Sequence, residues 1–397
     1  MKPGQFISLF LSACIFTINC CKPIPENKPQ LKVPDQTNDL GRISALPLIC
    51  KDPAHNPASP EKIELGRLLF YDPILSGQKD IACATCHHPD FMYAENLEIS
   101  VGVNGKGFGE NRKFNAPNDI PFTKRNSPSL LNVGFNGIDP EGKYSPEKAP
   151  MFWDLRAEGL ESQALFPLKS FEEMRGHAYD ESQTAKVIEK RITAISAYRK
   201  LFNKAFPDSS QINIKLITQA LAAFQRSLTA CNSRFDQYMR GNKSKLSGRE
   251  IEGMNLFIQT GCARCHSGPM LSDFKVHVMG IPDNEKLTVS DSGYQQTYAF
   301  RTPSLRNLRF TRPYMHSGKF KTLDEVLTFY EDLHGKELPN KNVSRAKLDP
   351  LASKLKVEYK NITPIIEFLN TLNDEEFDKT IPAAVPSGLM VGGKLKY

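Results

Sequence analysis

Cys83-Ala84-Thr85-Cys86-His87 returns later in the chain as Cys262-Ala263-Arg264-Cys265-His266. Each string reads Cys-x-x-Cys-His. Two thiols at that spacing can add to the two vinyl groups of one haem, and the adjoining imidazole then falls beneath the iron as its proximal ligand. A structural zinc site needs four Cys or Cys/His ligands in one tetrahedron and gives no reason for a His to follow both pairs directly. A thioredoxin-type dithiol wants a strand before a helix and needs no His. The expected cofactors are therefore two covalent c-type haems. Cys83, Cys86, Cys262 and Cys265 would attach them, with His87 and His266 as iron ligands.

The chain has 397 residues, enough for two domains with sizeable cores. Hydrophobic residues make up 40% and charged residues 24%, the balance of a soluble globular protein. The formal net charge of +7 comes without a Lys/Arg-rich run, so no nucleic-acid partner is expected. Of nine cysteines, Cys50 and Cys231 are left over in the mature body. They would form either one disulfide or two unpaired thiols.

Residues 1–21 read as an export signal: Met1-Lys2, then an apolar run over Phe6–Ile18 that is too short to span a membrane. Cys20 or Cys21 would offer a lipidated first residue and so a membrane tether. Thioether haem attachment in bacteria takes place outside the cytoplasm, which makes the expected location periplasmic. Residues 22–58 read as a flexible tether, rich at first in Pro, Lys, Asn and Gln.

Ser59-Pro60-Glu61 opens a helix ahead of the first motif. Asp90 to Pro150 shows little periodicity and is expected to wrap a haem edge. Glu181–Phe206 and Ile214–Met239 read as helices. Gly241-Asn242-Lys243-Ser244 is the expected boundary between an N-terminal haem domain, residues 59–243, and a C-terminal one, residues 244–380. Ser247 caps the helix before the second motif. Thr322-Leu323-Asp324-Glu325 is a capping box. Thr363-Pro364 is expected to start a last helix, and residues 381–397 a surface-wrapping tail. No strand alternation stands out. The fold expected is mainly α, with two cytochrome c-like domains each built around one haem.

Beyond the motifs, several strings carry a family resemblance. Gly66-Arg67-Leu68-Leu69-Phe70-Tyr71-Asp72 precedes the first motif. Arg125-Asn126-Ser127-Pro128-Ser129-Leu130 and Phe152-Trp153-Asp154-Leu155-Arg156-Ala157 follow it. Thr302-Pro303-Ser304-Leu305-Arg306-Asn307 and Pro313-Tyr314-Met315-His316-Ser317-Gly318 follow the second. With these, residues 60 to 375 resemble the bacterial di-haem cytochrome c peroxidase family, which includes the MauG type enzymes. The resemblance implies peroxide chemistry at the N-terminal haem and electron entry at the C-terminal one. It makes Trp153 an aromatic relay between them. It places Gln163, Pro167 and Glu173 in the distal pocket, with Glu173 as the acid/base. It also implies a Ca²⁺ held by Asn126, Thr311 and Pro313, where hard oxygen ligands suit the ion.

Two departures set the chain apart from the peroxidase branch. Between His88 and Trp153 there is no His to close the first iron, so that haem is expected to be open without reductive activation. His177 lies past the pocket glutamate. Where that branch has a Met on the second haem, this chain has Tyr330, as the MauG branch does; Met315 is the rival ligand. A phenolate stabilises ferric iron and lowers the potential. The leading expectation is a periplasmic peroxidase that reduces hydrogen peroxide with electrons from a small cytochrome c or cupredoxin. The second is a MauG-like enzyme that uses peroxide to oxidise a partner protein. The third is a plain electron carrier, which would gain nothing from Glu173 and Gln163 over an open haem.

Overall fold

Ser59 starts the first helix by accepting the Lys62 amide at 3.2 Å, with Pro60 at the first helical position. The computed structural model describes residues 42–335 and 337–393; the expected export signal, with Cys20 and Cys21, lies outside them. In chain order the helices are α1 (Pro60–Tyr71), α2 (Cys83–Cys86), α3 (Leu160–Gln163), α4 (Leu165–Lys169), α5 (Thr184–Ala194) and α6 (Ser196–Ala205). Then come α7 (Ile214–Ser227), α8 (Arg234–Met239), α9 (Gly248–Gln259), α10 (Leu323–Asp332) and α11 (Tyr359–Asn370). Strands among the described residues are three antiparallel ladders of two residues a side, such as Val276–His277 with Phe300–Arg301. The largely helical expectation holds.

The helix ahead of each motif crosses a later helix at a glycine. Gly66 of α1 meets α7 so closely that a Cβ would lie 2.0 Å from the Ala220 carbonyl oxygen. Gly253 of α9 meets α11 so that a Cβ would lie 1.9 Å from the Pro364 carbonyl oxygen. Glycine costs a helix about 1 kcal/mol relative to alanine; here it permits the close crossing of two backbones. Leu65, Leu69, Phe70, Leu221 and Phe224 pack the first core. Met254, Phe257, Ile365 and Phe368 pack the second. Each such side chain contributes about 1.5–3 kcal/mol on full burial.

Several elements differ from expectation. The helix expected over 181–206 breaks at Ile195, which is extended. Ile188 and Ile192 share one stripe and Tyr198 and Phe202 another, and Tyr198 lies six positions after Ile192. On one straight helix the two stripes would lie far apart in angle; the break turns both into the same core. The segment 214–239 divides because Ser233 and Asp236 form a capping box that starts α8. α8 belongs to the second core, where Phe235 meets Phe368 edge-on at 5.8 Å. The cores therefore change over before α8, ahead of the boundary expected at 241–244. The last helix starts at Tyr359, with Pro364 inside it.

The tether expected over 22–58 does not extend through its described part. Ile43 and Leu46 are buried, and Leu46 donates its amide to Asp236 Oδ1 at 2.9 Å. Asn56 donates to Glu161 Oε1 at 2.7 Å and to the Gln219 carbonyl at 3.0 Å. At the other end, residues 377–393 strap back over the first half. Val385 is buried, Ser387 Oγ donates to Asp72 Oδ1 at 2.7 Å, and the Gly392 amide reaches the Tyr71 carbonyl at 2.7 Å. So the start of the described chain packs on the second core through Ile43, and its end packs on the first.

Candidate functional site

α2 is a single turn that carries the first motif. Thr85 Oγ1 accepts the Ala82 amide at 2.9 Å and donates to the Gly392 carbonyl at 2.8 Å, so the C-terminal strap braces it. His87 donates Nδ1–H to the Tyr93 carbonyl at 2.9 Å. The second motif sits on the tight turn Cys262–Arg264, entered through Gly261 at φ 93. There His266 donates Nδ1–H to the Leu271 carbonyl at 3.0 Å. Each carbonyl fixes the tautomer and leaves Nε2 as the ligand nitrogen. Burial pushes both imidazoles below the ordinary value, His87 to about 4, so both are neutral at neutral pH. A metal-ligating histidine must be neutral.

One cavity of about 950 Å³ is lined by both motifs. Its largely apolar wall, with two Cys-x-x-Cys-His turns opening on it, fits two c-type haems. Gln163 at the end of α3, Pro167 in α4 and Glu173 share the wall with Cys83, Cys86 and His87. Glu173 stands in a π-helical turn, Phe171–Arg175, whose start Ser170 caps by accepting the Glu173 amide at 3.3 Å. Such turns recur at functional sites. Its backbone is fixed from the other side, where the Val103 amide reaches the Glu173 carbonyl at 3.1 Å. Burial first, then the neighbouring Glu172 charge, raises the Glu173 carboxyl to about 7; Arg156 and Ser170 pull the other way. Cys83 and Cys86 both feel its charge.

Neither His88 nor His177 lines the cavity. His88 is buried beside Phe108, with ring centroids 4.6 Å apart, and is off the cavity wall. His177 is on the surface with Nε2 2.9 Å from Asp119. Among the described residues, the histidines on the wall are His87, His266, His277 and His316. His277 is held by Asp273 at 3.0 Å and Asp349 at 2.7 Å.

Trp153 is buried where the two halves meet. Its Nε1 donates to the Asn126 carbonyl at 3.0 Å, and its own carbonyl accepts the Arg301 amide at 2.7 Å. His316 approaches the indole edge-on at 6.4 Å and stacks on Phe300. Asn126 donates its amide to the His316 carbonyl at 2.7 Å. The Asn126 side-chain Nδ2 donates to the Leu97 carbonyl at 2.9 Å. Thr311 and Pro313, like Asn126, line the cavity.

Tyr330 lines the cavity with Cys262, Cys265 and His266. Burial, then the charges of Cys262 and Cys265, pushes its phenol well above the ordinary value. An iron at the hydroxyl would reverse that direction, because a metal deprotonates its ligands. Met315 lines the cavity too. Cys50 and Cys231 are unpaired thiols, both partly buried against Leu46, Phe135 and Ile138.

Sequence reasoning missed an ion-pair chain beside Trp153. Asp154 gives Oδ1 to Arg156 and Oδ2 to Arg125, each at 2.7 Å. Arg125 then grips Asp291 with Nε at 2.5 Å and Nη2 at 3.0 Å. All but Asp291 stand in strings quoted above, and their alternating charges flanking the only Trp were the available signal. Glu95 was missed as well: buried near Cys86, it is raised by burial to about 7.

A mainly helical chain that turns two Cys-x-x-Cys-His motifs onto one cavity defines a di-haem oxidoreductase. A family model described as di-haem cytochrome c peroxidase matches residues 60–244. The methylamine utilization protein MauG of Methylorubrum extorquens is 31% identical over 335 residues, 83% of each chain. The cytochrome c551 peroxidase of Pseudomonas aeruginosa is 30% identical, covering 76% of this chain and 82% of its own. Among solved structures, a MauG-like protein associated with microbial copper homeostasis superposes with a TM-score of 0.66 at 29% identity, over 82% of this chain and 93% of that one. The diheme peroxidase BthA of Burkholderia thailandensis shares the fold, with a TM-score of 0.61 at 23% identity, over 88% of this chain and 94% of that one. The chain belongs to the di-haem cytochrome c peroxidase and MauG family. Membership implies two c-type haems and peroxide as substrate, with a redox partner or a protein substrate.

Proposed function

We propose that the protein is a periplasmic peroxidase with one covalent haem on each motif. It reduces hydrogen peroxide to water: one H₂O₂, two electrons and two protons give two H₂O. A small cytochrome c or cupredoxin supplies the electrons. The observation that carries this reading is Glu173, a carboxyl raised to about 7, on the cavity wall it shares with His87. A carboxyl at that value can take a proton at neutral pH and give it back.

Cys83, Cys86 and His87 would hold the haem that supplies the redox chemistry of O–O cleavage. Glu173 takes the proton from one peroxide oxygen and returns it to the leaving oxygen. Gln163 orients the peroxide, and Pro167 by its shape leaves room for it. Cys262, Cys265, His266 and Tyr330 would hold the second haem, which would supply the entry of electrons. Trp153 carries them onward, its position supported by the bonds to Asn126 and Arg301. Asn126, Thr311 and Pro313 would hold a Ca²⁺ that braces this junction. Among the described residues no helix is long and apolar enough to cross a membrane.

A second reading is MauG-like oxidation of a partner protein. Tyr330, which lines the cavity with Cys262, Cys265 and His266, favours it. Steady-state peroxide consumption with a reduced small cytochrome as donor tests the leading reading. Turnover that Glu173→Gln cuts at least a hundredfold supports it; unchanged turnover in that variant removes Glu173 from the mechanism.

A further inference from the structure

Tyr93, whose carbonyl accepts Nδ1–H of His87 at 2.9 Å, holds that carbonyl in an unusual backbone. Its φ is 56°, and that of Met92 before it is 54°. Bulky residues rarely enter this left-handed region and persist there only where their surroundings hold them. Leu271, which gives its carbonyl to His266, has a φ of 49°. At both motifs a non-glycine residue is turned left-handed beneath the proximal imidazole. The two residues differ in what fastens them.

Leu271 is held by apolar packing in the second core. Tyr93 is fully buried and has a further tie: its hydroxyl donates to the Asp378 carbonyl at 2.7 Å. Asp378 stands at the start of the C-terminal strap, and its carboxylate pairs with Arg67 of α1 at 2.7 Å. Phe377 meets the Tyr93 ring edge-on at 6.0 Å. The far end of the strap reaches the motif itself, where the Gly392 carbonyl accepts the Thr85 hydroxyl at 2.8 Å and Gly393 bridges to Ile81. One segment thus grips both the haem-binding turn and the residue whose carbonyl orients its histidine. Tyr93, Phe377 and Asp378 are all off the cavity wall.

We infer that Tyr93 is a positioning residue for His87, and that the C-terminal strap, through the Tyr93 hydroxyl, sets how strongly His87 donates to the iron of the first haem. This rests on haem attachment at the first motif, as proposed above, and on neither of the two peroxide reactions. Ser127 Oγ is the rival partner, 3.3 Å from Nδ1, but it donates its proton to the Cys86 carbonyl at 2.9 Å.

A firmly held carbonyl keeps the Nδ1–H bond short. A short bond makes the imidazole a stronger donor through Nε2, and a stronger donor favours ferric iron. Releasing Tyr93 from the strap therefore weakens the iron–histidine bond and raises the potential of the first haem. The Leu130 amide also reaches the Tyr93 carbonyl, at 3.2 Å, so losing the hydroxyl tie loosens that carbonyl without freeing it, and the change is modest.

The test is Tyr93→Phe in the two-haem protein, which keeps the ring and removes the tie to Asp378. Spectroelectrochemical titration reads the potential of each haem, and resonance Raman reads the iron–histidine stretch of the reduced first haem. The stretch is expected to fall in frequency. The reduction equilibrium of the first haem should shift about threefold toward ferrous iron, about 28 mV upward, with the second haem unmoved. Phe377→Ala leaves the hydroxyl in place and loosens the strap, without changing any charge. It should move both readouts in the same direction by less, and it decides the matter if Tyr93→Phe does not fold. Unmoved readouts overturn the inference. So do equal shifts at both haems, which would be a general loosening. The mass of the peptide carrying Cys83 and Cys86 separates the two failures: a peptide without haem fails the attachment reading, whereas a haem-bearing peptide with an unmoved potential fails the inference alone.

Discussion

Trp153 donates its indole N–H to the carbonyl of Asn126 at 3.0 Å, and the Asn126 amide donates to His316 of the second half at 2.7 Å. One residue therefore orients the proposed relay and ties it to the other half. The contact also accounts for the indole N–H, which a buried Trp must satisfy.

Trp153→Phe keeps an aromatic ring but removes the donor and the readily oxidised indole. The protein should still fold and bind two haems, losing about 1 kcal/mol for the hydrogen bond. Electron passage between the haems, followed by stopped-flow absorption after peroxide addition, should slow at least tenfold. An unchanged rate would make Trp153 a packing residue only.

Gly66→Ala would drive a Cβ to 2.0 Å from the Ala220 carbonyl oxygen, and backbone cannot swing aside as a side chain can. The expected cost is about 1–3 kcal/mol, the range for overpacked cores. A thermal melt of the variant against the parent protein measures it. An unchanged melt would mean that α1 and α7 can move apart freely.

Glu173 is protonated below about 7 and is a base above it. The rate of reaction with peroxide should therefore rise with pH through about 7, and Glu173→Gln should lose that limb. Stability has the opposite sign. The folded chain holds this proton more tightly than the unfolded chain, whose ordinary value is 4.5, so this group's contribution is complete below 4.5 and lost as pH rises through about 7. Stopped-flow rates across that range check the first statement. Denaturant midpoints of the parent protein and the Glu173→Gln variant, compared across the same range, check the second.

Tyr330→Phe removes the hydroxyl and keeps the ring on its wall. With a phenolate ligand lost, the absorption spectrum of the second haem should change and its potential should rise. Spectroelectrochemical titration reads both. A spectrum and potential identical to the parent protein's would make Tyr330 core and leave Met315 as the ligand to test.

The haem motifs, Ser59, the Ser247 and Thr322 caps and the mainly helical class were legible because each is a local signal. Distant contacts were not. Nothing local in Ile43 or Leu46 says that they will lie against Gly268 and Asp236. The breaks at Ile195 and before Ser233 were decided by which stripe must meet the core, and that is settled only by packing. Gln163, Pro167 and Glu173 came from family resemblance, and the structure brings all three to one cavity.

The most direct measurement is addition of hydrogen peroxide to the fully oxidised two-haem protein with no reductant present, followed by absorption and electron paramagnetic resonance. With Glu173, Gln163 and Pro167 around an open position, the account predicts a prompt spectral change at the first haem. No reaction until one electron is supplied would contradict it, because a ligand would then close the site at rest.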